Sequence, residues 1–201
     1  MSVLTKPLDP LNEARIILPH VSWPQYETLI AMFGDRPRLR LTYLEGNLEI
    51  MTISPEHEML KKMIARLIEA YALERDIDLF SCGSATFRRE ATASGLEPDE
   101  SYCIGTRKEY PDLAIEVVIS SGSIDKLKVY QGLGVKEVWF WQDNRFSLYC
   151  LNDSSSEYDS IEQSTFFPEL DFTLLATHIQ PESEPQAVKA FLQALRQRES
   201  Q

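Results

Sequence analysis

Cysteine and histidine are scarce: the 201 residues hold three of each. Cys82, Cys103 and Cys150 are scattered, odd in number and outside any C-x-x-C pair. They predict reduced thiols, not a disulfide frame or a zinc site. So few histidines leave zinc chemistry and Cys/His catalysis without material. There is no G-x-x-x-x-G-K-S/T loop and no G-x-G-x-x-G turn, so the main signals of a bound nucleotide cofactor are missing. No apolar run is long enough to cross a bilayer. Met1 to Pro10 lacks the basic start and apolar core of a signal peptide, which predicts a cytoplasmic protein. No repeat of fixed period occurs. Basic residues are also short: 20 Lys and Arg face 31 Asp and Glu, for a net charge of −11. Such a chain is ill suited to coat nucleic acid nonspecifically. A nuclease stays open, because its carboxylates hold metal ions that face the phosphate.

What is present is ordinary globular material, 43% hydrophobic and 25% charged, enough for one domain. The first 21 residues carry Pro7, Pro10 and Pro19 and read as an irregular arm. A helix opens at Ser22, with Pro24 in its first turn, and ends near Gly34. Leu39 to Ile53 reads as a hairpin around Gly46-Asn47. Ser54-Pro55 caps a strong helix whose stripe is Leu60, Ile64, Leu67, Ile68 and Tyr71. Short strands follow at Ile77–Phe80, Ala85–Arg89 and Asp99–Ile104, then the apolar Pro111–Ile119. A helix from about Ser123 to Gly132 leads to the apolar strand Val135–Trp141, so the two strands should be parallel with a right-handed crossover. Arg145–Leu151 pairs back through Asp143-Asn144, and Asp153–Ser160 reads as a polar loop. Ser183–Gln197 is an amphipathic helix. The expectation is an α/β domain over 22–180, a mixed β-sheet core flanked by α-helices. The C-terminal 181–201 helix then closes the core or forms a dimer interface.

Three features resist explanation by packing alone. Glu116 sits inside the most apolar strand, between Ile115 and Val117. A charge there is costly unless it is paired or holds a metal. It is either a partner in a buried salt bridge or a metal ligand or general base. Asp112 shares its strand face but lies about 13 Å away at ~3.3 Å per residue, too far to share one ion. A partner carboxylate must come from a neighbouring strand, and Asp99, in Glu97-Pro98-Asp99-Glu100, is the natural candidate. Lys126 falls near the middle of the apolar face of its helix, whereas Lys128 falls on the solvent side. Its stem either covers the sheet while the ammonium reaches water, or the ammonium points back toward Glu116. His57, in the first turn of the Ser54-Pro55 helix, is by default a capping or core histidine. Arg88 and Arg89 either belong to a solvated edge strand or contact phosphates.

Three stretches resemble a known family. They are YLEGNLEIMTISPEHE (Tyr43–Glu58), GLEPDESYCI (Gly95–Ile104) and YPDLAIEVVISSGSIDKLKVYQGLGVKEVWFW (Tyr110–Trp141). Together they look like the Uma-type restriction-endonuclease-like proteins, and Pro98-Asp99 followed by Glu116 resembles the PD-(D/E)XK nuclease motif. The resemblance implies a restriction-endonuclease-like fold and metal-dependent hydrolysis of DNA phosphodiester bonds. It makes Asp99 and Glu116 ligands of Mg²⁺ (or Mn²⁺). The lysine expected two residues after the acid is absent, since Val118 stands there, and its role passes to Lys126. Glu45 would supply a further acid, and His57 matches the histidine after the hairpin. The resemblance also implies a homodimer, with DNA as partner and neither membrane nor nucleotide. The alternative is a catalytically silent nuclease-fold module that binds DNA or a protein.

Overall fold

Residues 15–18 form an edge strand, β1 (Arg15–Leu18), although the prolines before them predict an irregular arm. Helix α1 (Trp23–Phe33) follows, and then the hairpin β2 (Leu39–Leu44) and β3 (Asn47–Thr52). The hairpin turns on Glu45-Gly46, one residue earlier than the sequence suggests. Both residues have positive φ, 47° and 86°, the backbone that a tight two-residue hairpin turn demands. Helix α2 (Pro55–Glu74) starts as its sequence predicts: Ser54 Oγ accepts the His57 N–H at 3.1 Å, with Pro55 at the first helical position. The short strands β4 (Leu79–Ser81), β5 (Phe87–Arg89) and β6 (Ser94–Leu96) lead to β7 (Glu100–Ile104) and β8 (Leu113–Val117). Helix α3 (Lys126–Leu133) is capped by the Asp125 side chain and stopped by Gly134, whose φ of 78° ends the helix in the left-handed region. Then come β9 (Glu137–Gln142), β10 (Arg145–Leu151), β11 (Tyr158–Ile161), α4 (Phe172–Thr177) and α5 (Glu184–Glu199). The computed structural model describes residues 13–33, 36, 38–120 and 124–199. The remainder of the expected arm, the helix end at Gly34 and the helix start at Ser123 lie outside the described residues.

The strands form two sheets, where the pattern along the chain suggests one. The first is antiparallel, in the order β1-β3-β2-β6-β5. The second is mixed, in the order β11-β10-β9-β8-β7-β4, and its β8 and β9 are parallel, joined through α3. Helices α2, α4 and α5 pack on one face of the mixed sheet around Trp139, Phe167 and Phe191, all fully buried. Burying each such ring contributes about 2–3 kcal/mol relative to exposure. Helix α3 packs its Val129, Tyr130 and Leu133 with Ala114 and Val138 of the mixed sheet and with Phe87 and Leu96 of the other. Helix α1 covers the antiparallel sheet through Tyr26, which stacks on Tyr43 with ring centroids 4.6 Å apart. The expected polar loop at Asp153–Ser160 ends in β11, because Tyr158–Ile161 pairs with Leu148–Leu151. This is the α/β, restriction-endonuclease-like architecture that the sequence implies. No helix among the described residues is long and apolar enough to cross a membrane.

Candidate functional site

The site begins with the alternation of β8. Leu113, Ile115 and Val117 turn toward α2 and its core, so Ala114 and Glu116 turn toward α3. Glu116 is thereby fully buried. On α3, Lys126 and Tyr130 are four residues apart and share a face. Lys126 Nζ lies 2.5 Å from Glu116 Oε2, and the Tyr130 hydroxyl donates to Glu116 Oε1. One turn of α3 thus engages both oxygens of the acid.

Asp99 arrives from the adjacent strand. Glu100 pairs with Ile115 in the antiparallel β7–β8 ladder, so the next step of that register sets Asp99 beside Glu116. Asp99 is buried, and its Oδ2 accepts the Val117 N–H at 2.8 Å. Its Oδ1 lies 2.8 Å from His57 Nε2. His57 is only 1% exposed, and its Nδ1 lies 2.7 Å from Glu13 Oε1. Ser120 Oγ donates to the other Glu13 oxygen at 2.6 Å. A chain Ser120–Glu13–His57–Asp99 therefore runs into the site. Glu49 on β3 is also buried, with Arg15 Nε 3.3 Å away.

These contacts set the charges. Burial penalises the Asp99 carboxylate, but the hydrogen bond and charge of His57, the charge of Lys126 and the Val117 amide outweigh it. Asp99 is held well below the usual carboxylate range. Burial and then the charge of Asp99 push Glu116 up to about 7, against the opposing pull of Lys126 and Tyr130. Burial disfavours the His57 imidazolium, yet the hydrogen bonds and charges of Asp99 and Glu13 raise it to about 9. Burial likewise opposes the Lys126 ammonium, and Glu116 and Asp99 more than compensate, so its pKa is raised. Two neighbouring carboxylates are thus shifted in opposite directions, an arrangement typical of acid and base assignments in active sites.

A cleft of about 290 Å³ opens beside this cluster, and Glu13, Arg15, Val117, Ser120 and Lys126 contribute to its wall. Of the residues singled out in the sequence, Asp99, Glu116, Lys126 and His57 converge here. Glu45 does not: it occupies the hairpin turn, with positive φ. The hairpin acid brought toward the cluster is Glu49, and its charge acts on Lys126. Glu49 sits among Leu48, Ile50 and Met51, an acid in an apolar run like Glu116. Tyr130 is signalled by its spacing from Lys126. Glu13 and Arg15 carry no comparable signal.

Other charged residues hold the fold together and take no part in the cluster. Asp112 accepts the Ile104 N–H at 2.8 Å and pairs with Lys108 at 2.6 Å. Arg88 pairs with Glu27 at 3.0 Å, and Arg89 stacks over Tyr110 and donates to the Gly132 carbonyl. Glu137 is as buried as Glu116 but is surrounded by neutral donors: Trp139 Nε1, Ser164 Oγ, and the amide and hydroxyl of Thr165.

The donor set suits a hard cation. Each carboxylate oxygen offers two lone pairs, so those of Asp99 and Glu116 keep acceptor capacity beyond the bonds described. Among the described residues, no three His, Cys, Asp or Glu side chains form a metal cage. Mg²⁺ does not need one, since it is held through one or two carboxylates and keeps its waters.

A search of curated proteins finds no match to this chain. The model of the family Uma2, described as "Putative restriction endonuclease", matches residues 23–179, most of the chain, and the protein therefore belongs to that family.

Proposed function

We propose that this protein is a divalent-metal-dependent endonuclease that hydrolyses DNA phosphodiester bonds. One observation carries the reading: Asp99, Glu116 and Lys126, from three different segments, meet at one buried point beside an open cleft. A structural ion pair would need no cleft and no second acid. Asp99 and Glu116 would hold Mg²⁺ or Mn²⁺. Such an ion, when bound, supplies charge to the phosphate and lowers the pKa of a coordinated water. His57 and the Val117 amide fix the Asp99 carboxylate in its ionised form. Tyr130 and Lys126 fix the rotamer of Glu116. The Lys126 ammonium, its side chain 21% exposed beside the cleft, neutralises charge on the transferring phosphate. The three free thiols fit a reducing, cytoplasmic setting. Cutting both strands of a duplex takes two such sites, which a homodimer provides.

Calorimetric titration with Mn²⁺ tests the first half. Binding by the wild-type protein should vanish in the Asp99→Asn, Glu116→Gln double variant. Nicking of supercoiled plasmid, dependent on Mg²⁺ or Mn²⁺ and lost in the same variant, tests the second half. A second reading is a module of this fold that binds without cutting. It is favoured by the full engagement of both Glu116 oxygens by Lys126 and Tyr130. A protein that binds Mn²⁺ and DNA but never nicks the plasmid would establish it.

A further inference from the structure

The net charge of −11 poses a problem for any DNA-directed activity, because duplex DNA must meet a locally basic face. Such a face exists. A second cleft, of about 680 Å³, is walled by Arg36, Arg38, Arg40, Lys61 and Lys62. Among the described residues only two acids, Glu58 and Glu97, line it with them. Five cations against two anions give the described lining of this cleft a charge opposite to that of the whole chain. Arg36, Arg38 and Lys62 are exposed there. Lys61 pairs with Glu58 at 3.0 Å, and Arg40 lies 3.6 Å from Glu97.

The cleft adjoins the cluster along three routes. Lys61 follows His57 by one turn of α2, on the same helical face. Glu97 precedes Asp99 by two residues. The third route crosses the antiparallel sheet: Arg15 and Arg40 both stand opposite Met51, on either side of β3. Residues directly opposite one another share a sheet face. Arg15, Met51 and Arg40 therefore form one row, with strands ~4.8 Å apart. Arg15 and Met51 line the Lys126 cleft, and Arg40 lines the basic one.

We propose that the basic cleft binds the phosphodiester backbone of DNA beside the Asp99–Glu116 centre, to which the largely buried Arg15–Met51–Arg40 row joins it through the sheet. The proposal rests on the endonuclease reading for the identity of the ligand, but its test reads binding alone. Arg38 and Lys62 are the contacts to change, since both are exposed and belong to none of the catalytic machinery. Anisotropy of a fluorescent DNA duplex is followed against salt, in chelator and again in millimolar Ca²⁺. The Arg38→Glu, Lys62→Glu variant should bind at least about tenfold more weakly near 0.1 M salt. The neutral Arg38→Gln, Lys62→Gln variant should lower the slope of log K against log salt by about 1.8, or ~0.9 per lost phosphate contact. A Lys189→Glu, Arg196→Glu variant on α5 makes the same change in net charge and should retain nearly wild-type affinity. Equal loss in both charge-reversed proteins, an unchanged slope, or wild-type binding to RNA but not DNA overturns the proposal. If binding follows prediction and no plasmid is ever nicked, the cleft stands and the endonuclease reading falls. If nicking occurs and the cleft variants bind and cut normally, the reverse holds.

Discussion

His57 stands 2.8 Å from Asp99, holding with its Nε2 the same carboxylate that the Val117 amide holds through the other oxygen. The opposite ring nitrogen reaches Glu13, so a single imidazolium joins two buried acids. Replacing His57 with Gln leaves these acids without their shared cation, at a cost of about 3–5 kcal/mol. Urea unfolding at pH 6 measures the loss. A variant within ~1 kcal/mol of wild type would mean that the acids are solvated and the relay carries little of the stability.

The same imidazole dictates a pH dependence in the metal-free protein. Its pKa rises from an ordinary 6.5 to about 9 on folding. The stabilisation, on the order of 3 kcal/mol, is fully present below pH 6.5 and is lost as pH climbs through about 9. Glu116 acts in the same direction, since its folded value of about 7 exceeds the ordinary 4.5 and its contribution fades between the two. Glu13 and Asp99 are depressed, so their contributions are present above the ordinary carboxylate range and disappear only on acidification. Stability should therefore peak near pH 4.5 and decline steadily to pH 9, through Glu116 first and His57 after it. Denaturant midpoints across that range provide the check, and His57→Gln should flatten the alkaline limb.

Lys126 and Tyr130 hold opposite oxygens of Glu116, and their removal should have different effects. Lys126→Met takes away the cation that opposes Glu116 protonation, so the pKa of Glu116 rises further above about 7. Cleavage should fall by about 10²–10³-fold, the scale of losing one charge-stabilising donor, with the pH optimum moved upward. Lys126→Arg should recover part of kcat. Tyr130→Phe leaves Glu116 Oε1 without its donor, which costs about 1–3 kcal/mol of stability and only a modest part of kcat. If Lys126→Met cuts at the wild-type rate, the ammonium is a structural counter-ion.

Much of this centre is legible in the sequence, and the gaps have physical causes. Glu116 and Lys126 are visible because each breaks an apolar pattern of known period, two in the strand and 3.6 in the helix. Asp99 follows from reach: Asp112, at four strand residues, is too far. The hairpin, the Ser54 cap and the α3 crossover are written in local chemistry that nothing distant overrides. Strand β1 is not legible, because its order comes from pairing with β3, a distant segment of which four residues amid a proline-bearing stretch give no hint. Strand β6 contains only Ser94, Gly95 and Leu96, too short for a period, and is held by pairing on both sides. The basic cleft joins Arg36, Arg38 and Arg40 of one short stretch to Lys61 and Lys62 of α2, and that meeting of two segments depends on the tertiary fold.

Glu137 is the control for the idea that a buried acid marks a site. It is as buried as Glu116, yet its partners are neutral hydroxyl, indole and amide donors, and four of them satisfy it. It ties β9 to the Ser164–Phe167 turn. Glu137→Ala should lose about 3 kcal/mol or more, since it strands several buried donors. The folded fraction should bind Mn²⁺ and cut DNA as wild type does. A loss of metal binding out of proportion to the loss of folded protein would show that the two acids are coupled.

The hairpin supplies the last discrimination, between Glu45 and Glu49. Family resemblance points to Glu45, but that residue lies in the turn, where its backbone N–H binds the Ala93 carbonyl. Glu49 is buried on β3 beside Arg15, and its field reaches Lys126. Glu45→Gln should change neither stability, by more than ~0.5 kcal/mol, nor cleavage, as expected of a turn side chain away from the centre. Glu49→Gln leaves Arg15 with one charge partner fewer and removes a negative charge from the centre. It should lower the melting temperature, and it should weaken Mn²⁺ binding if the carboxylate supports the ion's shell. A thermal melt and a Mn²⁺ titration of both variants decide the matter. Loss of activity in Glu45→Gln with Glu49→Gln intact would restore Glu45 to the site, and the hairpin would then have to rearrange when substrate binds.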